Sequence, residues 1–378
     1  MIKWFFKYGV VLYVLNTILL SIGRTYTLAS IIFICIMVVF GLLILINPKQ
    51  IKLVIFHKSF RFLLILNLVN IFYWLSFHNF SDIEAGKYLI ARFVQFSLIS
   101  FAIVHNYDYF KKYFLKHVSY VILGVVILGL IIDPFIFKGR YEGVMWNPNT
   151  FSSFTSMAFA ALFLMKETKT RFAIFVLLLL FIISLSTGSR DVLVAFFLVF
   201  LFKYGLSIRN MIYALLALGF YLFTVTFQLD TSINRFSSQG LLNDRLLQYQ
   251  YAYETILQQP FFGFGLDKYA YINPDIVPHY LSSHVIAAHN GYLAILVQYG
   301  LLFGLPIIGI IFYKFIYLYI KIDKKDPELL SYLYISFYVI IASVYETFIT
   351  GINEFHTILF WFSLAFLSFS VFKKKYGY

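Results

Sequence analysis

Four basic side chains that could bind an anion or move a proton lie in polar stretches of an otherwise apolar chain. They are Arg140, Arg190, Arg245 and His289. Arginine presents a planar fork of N–H donors that suits phosphate groups, and histidine accepts a proton near neutral pH. Simpler interpretations exist for each type: a loop histidine is more often structural, and Arg245 has Asp244 and Glu254 nearby as ion-pair partners.

Two asparagines follow Arg140 in the sequence Asn147-Pro-Asn149, a pattern that favours a turn and then a helix cap. Capping alone would explain both of them. Arg190 stands between Ser189 and Asp191 at the junction of two apolar runs. Either a phosphate or the neighbouring Asp191 would account for an arginine at this point.

Three histidines, His279, His284 and His289, recur at five-residue intervals. Positions five apart do not share one face of a helix, and no cysteine or closely spaced histidine pair accompanies them. We therefore expect no metal site. His289 differs from the other two because Asn290 and a long apolar run follow it directly.

The elements that must position these residues are membrane helices. Hydrophobic residues make up 61% of the 378 residues and charged residues only 12%, where a soluble domain has roughly 25% charged residues. The composition predicts an all-α polytopic membrane protein, a single integral membrane domain over 1–378. Apolar runs predict twelve spans, namely 6–23, 27–46, 62–77, 88–104, 118–137, 151–165, 172–186, 191–204, 211–227, 291–320, 331–350 and 354–372.

The net charge of +13 reflects topology rather than nucleic-acid binding, because lysines and arginines concentrate in alternate loops. This bias predicts cytoplasmic termini. The polar segment 228–290 between spans 9 and 10 is then extracytoplasmic (periplasmic), and we expect it to be the catalytic loop. It contains a predicted amphipathic helix that starts near 243, ends before Pro260 and presents an apolar stripe of Leu246, Tyr249, Tyr253, Ile256 and Leu257. Gly263 and Gly265 follow, which predicts a close backbone approach.

Ionisable residues inside the predicted spans are few. Arg92 and Glu346 either pair with another helix or contact a ligand. Cys35 has no partner for a disulfide and is predicted to be a small core residue. Gly300 and Gly304 predict close packing within span 10 beside a kink at Pro306.

Several short motifs occur in a characteristic order. Arg-x-x-Gly at Arg140 is followed by Asn-Pro-Asn, by Ser-Arg at 189–190, by an arginine-led helix ending in Pro-x-x-Gly-x-Gly, and by AAHNGYLAILVQYGLLFGLP. This order, from Arg140 to Pro306, resembles the O-antigen ligase and polymerase superfamily of bacterial envelope glycan assembly.

The resemblance implies a metal-independent, inverting glycosyl transfer without a cofactor. It implies His289 as the catalytic base, Arg190 and Arg245 as ligands of the substrate diphosphate, and Arg140 as a further contact. Weaker candidates for substrate binding are Asn147, Asn149, Asn290 and His284. The implied partners are an undecaprenyl-diphosphate-linked glycan donor, a lipid-linked glycan or lipid A-core acceptor, membrane lipids, a flippase and a chain-length regulator, all at the bacterial cytoplasmic (inner) membrane.

Within this superfamily we favour a polymerase that joins lipid-linked repeat units into O-antigen or into capsular or exopolysaccharide. A ligase that transfers the finished glycan to lipid A-core is the alternative. A transporter or flippase of a lipid-linked glycan, with no chemistry of its own, is a hypothesis from another class.

Overall fold

Helices account for the regular secondary structure of the residues that the computed structural model describes. These residues are 2–49, 52, 56–77, 83–165, 170–205, 212, 216, 219, 231–239, 245–266, 277 and 289–376. Within them no strand forms, and an isolated bridge pairs Ile22 with Met145. The α-helices are α1 (Ile2–Leu20), α2 (Tyr26–Ile46), α3 (Arg61–Phe77), α4 (Ile83–Tyr109), α5 (Leu115–Ile132), α6 (Pro148–Leu164), α7 (Arg171–Ser186), α8 (Asp191–Tyr204), α9 (Ser232–Gln239), α10 (Arg245–Gln258), α11 (Gly291–Lys321), α12 (Pro327–Ala342) and α13 (Phe355–Tyr376).

The predicted fold class, an all-α polytopic membrane protein, is confirmed. In the described part of the chain, five helical stretches are long and apolar enough to cross a membrane, namely Gly23–Ile46, Lys58–Ser76, Ala85–Ile132, Gly291–Lys321 and Phe355–Tyr376. The count of twelve spans stays a prediction. The ninth span, 211–227, lies outside the described residues apart from three isolated positions.

Two predicted spans end earlier than the apolar runs suggest. Helix α5 ends at Ile132 instead of 137, because Asp133 precedes Pro134 and is extended. Helix α12 ends at Ala342 instead of 350, and turns follow, so Glu346 lies in a loop. Cys35 is exposed on α2, which corrects its assignment to the core.

Helix α11 is broken at Gly300, whose φ of 65° and ψ of −177° are not helical. The short segment 291–299 folds back along the long segment 301–321: the rings of Tyr292 and Phe312 stack with centroids 5.6 Å apart, and a Cβ on Gly304 would lie 3.0 Å from Leu296. The predicted span 291–320 is thus interrupted at Gly300, six residues before the kink predicted at Pro306. The predicted close packing within α11 occurs at Gly304, whereas Gly300 packs against the backbone of Phe261 and Phe262.

The break at Gly300 is held by the turn 260–265 that follows α10. Leu301 N donates to Pro260 O at 2.7 Å, and Phe264 N donates to Val297 O at 2.9 Å. A Cβ on Gly263 would lie 2.4 Å from Gly300 N. The close backbone approach that the glycines of this turn predict is thus observed, and it ties α10 to α11.

The loop between α12 and α13 is anchored by polar side chains from the first half of the chain. Arg92, 3% exposed, donates to Thr350 O at 2.7 Å. Gln95 Nε2 and the Tyr13 hydroxyl donate to Ile352 O. The guanidinium of Arg92 thus satisfies a backbone carbonyl, which favours the structural interpretation of this residue.

We predict that Gly300→Ala destabilises the fold. The new Cβ would lie 2.4 Å from the Phe261 backbone, and an alanine held at φ 65° and ψ −177° alone costs roughly 1–3 kcal/mol. The midpoint of thermal unfolding in detergent should fall by several degrees. Gly309→Ala is the matched control in the same helix, because a Cβ there meets nothing within 4 Å. Equal midpoints for the two variants would contradict the tight contact.

We predict that Arg92→Gln also lowers the unfolding midpoint, because the loop loses charge-assisted hydrogen bonds of about 1.5–3 kcal/mol. The same measurement on Arg171→Gln provides the control, since Arg171 is exposed at the start of α7. If Arg92→Gln unfolded like wild type, the anchoring role would be wrong.

Candidate active site

A polar cavity of about 60 Å³ gathers most of the arginines that the sequence singles out. Arg140, Arg190, Arg245 and Asn149 all line it. The structure adds four lining residues that the sequence analysis did not propose as site residues, namely Ser189, Asp191, Arg235 and Tyr345. Residues from five parts of the chain therefore meet at one point.

Backbone contacts between the loop before α6 and the turn after α7 bring Arg140 to the cavity. Tyr141 N donates to Ser186 O at 3.0 Å, and Arg140 Nε donates to Thr187 O at 3.2 Å. The turn then passes through Gly188 at φ 64°. A Cβ on Gly188 would lie 3.2 Å from side-chain carbons of both Arg140 and Arg235. The absence of a side chain at Gly188 therefore lets both arginine side chains pack against the backbone of this turn.

Arg235 is the main site residue that sequence reasoning missed. It lies on α9, and its Nη1 donates to Gly188 O at 2.9 Å. A sequence signal for Arg235 existed: it lies in the segment predicted to be extracytoplasmic, where positively charged residues are disfavoured. Sequence spacing alone could not show that this arginine returns to the turn before α8.

Positive charge is concentrated here. Burial together with the nearby charge of Arg235 lowers the pKa of Arg140 to about 10. Asp191 is the acidic residue among the lining residues, and its carboxyl oxygens accept hydrogen bonds from the hydroxyls of Ser189, Ser152 and Tyr338. Four arginines face one aspartate in the lining, so the cavity is suited to an anion that carries more than one negative charge.

The asparagine candidates divide into two groups. Asn147 and Asn290 are helix caps: the Asn147 side chain accepts from Asn149 N, and the Asn290 side chain accepts from Tyr292 N and Leu293 N. Asn149 instead points to the cavity, where its Oδ1 accepts from Arg140 Nη2 and, at 3.0 Å, from Ser189 Oγ. Capping therefore accounts for the first two, while Asn149 fixes the orientation of a cavity arginine.

His289 lies at the entrance to the short segment of α11 and adopts a left-handed backbone conformation, with φ 41°. Its side chain is 31% exposed, and Nδ1 lies 3.4 Å from Glu346 Oε2. An ionised carboxylate only accepts hydrogen bonds. A neutral His289 therefore carries its proton on Nδ1 for this contact, which leaves the lone pair on Nε2.

Glu346 connects His289 to the arginine cavity. Its other oxygen, Oε1, lies 2.5 Å from Arg245 Nη2, and its side chain is 17% exposed. Burial raises the pKa of Glu346, but the hydrogen bond from His289 and the charge of Arg245 outweigh this and hold that pKa below its ordinary value. The pairing of Glu346 with another helix, one of the two predicted alternatives, is observed.

The predicted amphipathic helix of the polar segment forms as α10, but its buried face differs from the prediction. Ala252 and Ile256 pack with Leu293, Leu296 and Val297 of the short segment of α11. Three residues of the predicted stripe, Leu246, Tyr253 and Leu257, are instead exposed. Burial follows the contact with α11, which a periodicity count cannot anticipate.

Within the described residues, no group of three or more His, Cys, Asp or Glu side chains could hold a metal ion. His279 and His284 lie outside those residues, as do Asp244 and nearly half of the segment 228–290.

Comparison with known proteins supplies the family. A family model described as O-Antigen ligase matches residues 172–308, about a third of the chain, which includes α7, α8, Arg190, Arg245 and His289 and begins after Arg140. A search of curated proteins found no matching relative. The match supports the O-antigen ligase/polymerase superfamily, whose members are glycosyltransferase-like enzymes.

Proposed function

We propose that this protein is a polysaccharide polymerase that transfers a growing glycan from a lipid diphosphate to the hydroxyl of a lipid-linked repeat unit. The observation that carries this proposal is the continuous path from the four-arginine cavity through Arg245 and Glu346 to His289. An anion site and a proton acceptor joined in this way match a reaction in which a diphosphate leaves while a hydroxyl attacks.

The proposed reaction proceeds by a single displacement. His289 Nε2 takes the proton of the acceptor hydroxyl, whose oxygen forms a bond to the anomeric carbon of the donor. The bond from that carbon to the phosphate oxygen breaks, and the lipid diphosphate leaves with the electron pair. Attack from the face opposite the leaving group inverts the anomeric centre.

The arginines would stabilise the charge that grows on the departing diphosphate. Arg140, Arg190 and Arg235 surround the cavity, and Arg245 stands between it and Glu346. Fixed guanidinium groups supply positive charge without a metal ion or cofactor. In this proposal Asn149 holds Arg140, and the capping residues Asn147 and Asn290 act only by placing their helices.

The cellular setting belongs to the same proposal. The enzyme would work in the bacterial cytoplasmic membrane with both termini inside and with 228–290 as its extracytoplasmic catalytic loop. Its donor would be an undecaprenyl-diphosphate-linked glycan, and its product O-antigen, capsule or exopolysaccharide. A flippase that delivers the donor and a chain-length regulator are the expected protein partners.

A ligase is the second candidate, because the matching family model is described as O-Antigen ligase. It would use the same donor, arginines and base, and it would differ in accepting lipid A-core in place of another lipid-linked repeat unit. The nature of the acceptor therefore distinguishes the two functions.

We predict that His289→Asn lowers the rate of transfer about 10²- to 10⁴-fold, as expected for loss of a general base. Asparagine tolerates the left-handed backbone at this position, so the variant tests chemistry with little backbone strain. Purified protein is given a lipid-diphosphate-linked repeat unit as donor and acceptor, and the glycan ladder is resolved on a gel. His117→Asn, at an exposed histidine of α5, is the control and should form the wild-type ladder.

Other outcomes of this assay decide between the candidate functions. Transfer to added lipid A-core without a ladder would identify a ligase. Absence of transfer to either acceptor, in a protein that moves the lipid-linked glycan across vesicles, would identify a transporter and contradict the role of His289.

We predict that Arg235→Ala raises the Michaelis constant for the lipid-diphosphate donor about tenfold or more, because a charge-assisted contact contributes about 1.5–3 kcal/mol. Steady-state kinetics at two salt concentrations provide the measurement. Arg24→Ala is the matched control, since Arg24 is exposed in the turn whose Ile22 bridges to Met145. An Arg235→Ala Michaelis constant equal to that of Arg24→Ala would remove Arg235 from the anion site.

A further inference from the structure

One carboxylate serves two partners that the proposed reaction uses at different moments. Glu346 Oε1 lies 2.5 Å from Arg245 Nη2, while Oε2 lies 3.4 Å from His289 Nδ1. The first contact is short and the second is at the outer limit of a hydrogen bond. The carboxylate is therefore held mainly by Arg245.

Backbone hydrogen bonds hold the chain at Glu346 next to the chain at His289, so small side-chain shifts decide whether the two side chains touch. Gly291 N donates to Ser343 O at 2.8 Å and to Glu346 O at 2.9 Å, which docks the start of α11 onto the loop after α12. A Cβ on Gly291 would lie 2.8 Å from Ile349, so this docking leaves no room for a larger residue. Glu346 needs only a small side-chain movement to close the gap to His289.

Arg245 faces two competing acceptors. On one side it contacts Glu346 and donates to Tyr345 O, and on the other it lines the cavity with Arg140, Arg190 and Arg235. A diphosphate in that cavity offers several charged oxygens to the guanidinium fork. Each hydrogen bond that Arg245 gives to such an anion weakens its hold on Glu346.

We propose that Glu346 is a positioning residue that orients His289, and that capture of a diphosphate by Arg245 releases Glu346 towards His289. This inference rests on the proposed function. Donor binding would then prepare the base: the carboxylate fixes the proton on Nδ1 and increases the proton affinity of Nε2. The acceptor hydroxyl would be activated only when a donor is in place.

Other ionisable groups near Glu346 must be included in any pH measurement. Arg245 and Tyr249 approach it from α10, Asp191 from α8, Tyr338 from α12, Tyr345 from its own loop and His356 from α13. The variants below leave all of these groups unchanged.

The first measurement is the pH–rate profile of transfer for wild type, Glu346→Gln and Glu346→Asp. Glutamine should lower kcat about 10- to 100-fold and leave the donor KM equal or lower, because Arg245 loses its competing partner. The acidic limb of the profile should move to lower pH, since the carboxylate that would favour the protonated form of the base is absent. Aspartate should restore part of kcat. The proposal would be overturned if kcat fell and the donor KM rose together while the acidic limb stayed at the wild-type pH.

The second measurement does not depend on activity. Diethyl pyrocarbonate modifies the neutral imidazole, and mass spectrometry of the peptide that contains His289 follows its modification against pH. The pH at which modification of His289 begins should be higher in wild type than in Glu346→Gln. Inorganic diphosphate should raise this pH more in wild type than in the variant. An equal diphosphate effect in both proteins would refute release of Glu346 by Arg245.

The two measurements together separate the inference from the proposed function. If wild type transfers no glycan at any pH while His289 reactivity still shifts with Glu346→Gln and with diphosphate, the proposed function fails and the coupling stands. If transfer occurs and neither readout shifts, the coupling fails alone. Unfolding midpoints in detergent identify a misfolded variant; if Glu346→Gln misfolds, Glu346→Ala, which also lacks the carboxylate, replaces it as the test protein.

Discussion

The backbone contact between Gly263 and Gly300 determines how the two functional helices sit together. Leu301 and Leu302 donate to the carbonyls of Pro260 and Phe261, and Gly265 donates to Gln298 O. These bonds pair backbone groups of the turn after α10 with backbone groups that lose their helical partners at the break in α11. Such groups would be costly to leave without a hydrogen bond in an apolar environment. Arg245 at the start of α10 and His289 at the start of α11 are thereby fixed in one unit.

The arginine cavity adds an electrostatic constraint to this frame. Guanidinium groups that share a cavity of about 60 Å³ repel one another and lose hydration, which the lowered pKa of Arg140 reflects. Backbone carbonyls of Thr187 and Gly188 and the side chains of Asn149 and Glu346 accept their hydrogen bonds. These acceptors orient the arginines, and the four guanidinium groups outnumber the two nearby carboxyl groups, Asp191 and Glu346. The excess of positive charge favours a multiply charged anion in this cavity.

Sequence patterns predicted the local features well and the long-range ones poorly. Helix α8 spans 191–204 as its apolar run predicts, and Arg140, Arg190 and Arg245 could be chosen because polar residues are rare in this chain. Glu346 was assigned to the interior of a span because the apolar run continues past Ala342. Its partners, Arg245 and His289, are 101 and 57 residues away, and no local pattern reports such contacts. Arg235 was missed for the same reason, because the carbonyl that accepts its hydrogen bond, Gly188 O, is 47 residues away in the sequence.

The break in α11 also changes where the candidate base sits. At 1.5 Å per residue the long segment 301–321 spans about 30 Å, which alone matches the hydrocarbon core of a bilayer. The short segment is therefore not needed to cross the membrane and folds back beside the long one, with Tyr292 stacked on Phe312 and hydrogen-bonded to Ile340 O at 2.6 Å. His289, just before the folded-back segment, then lies beside Glu346 in the loop after α12, where Gly291 N donates to Glu346 O. In the proposed reaction this position gives the base a carboxylate on one side, while the 31% exposure of its side chain leaves it open to the acceptor hydroxyl.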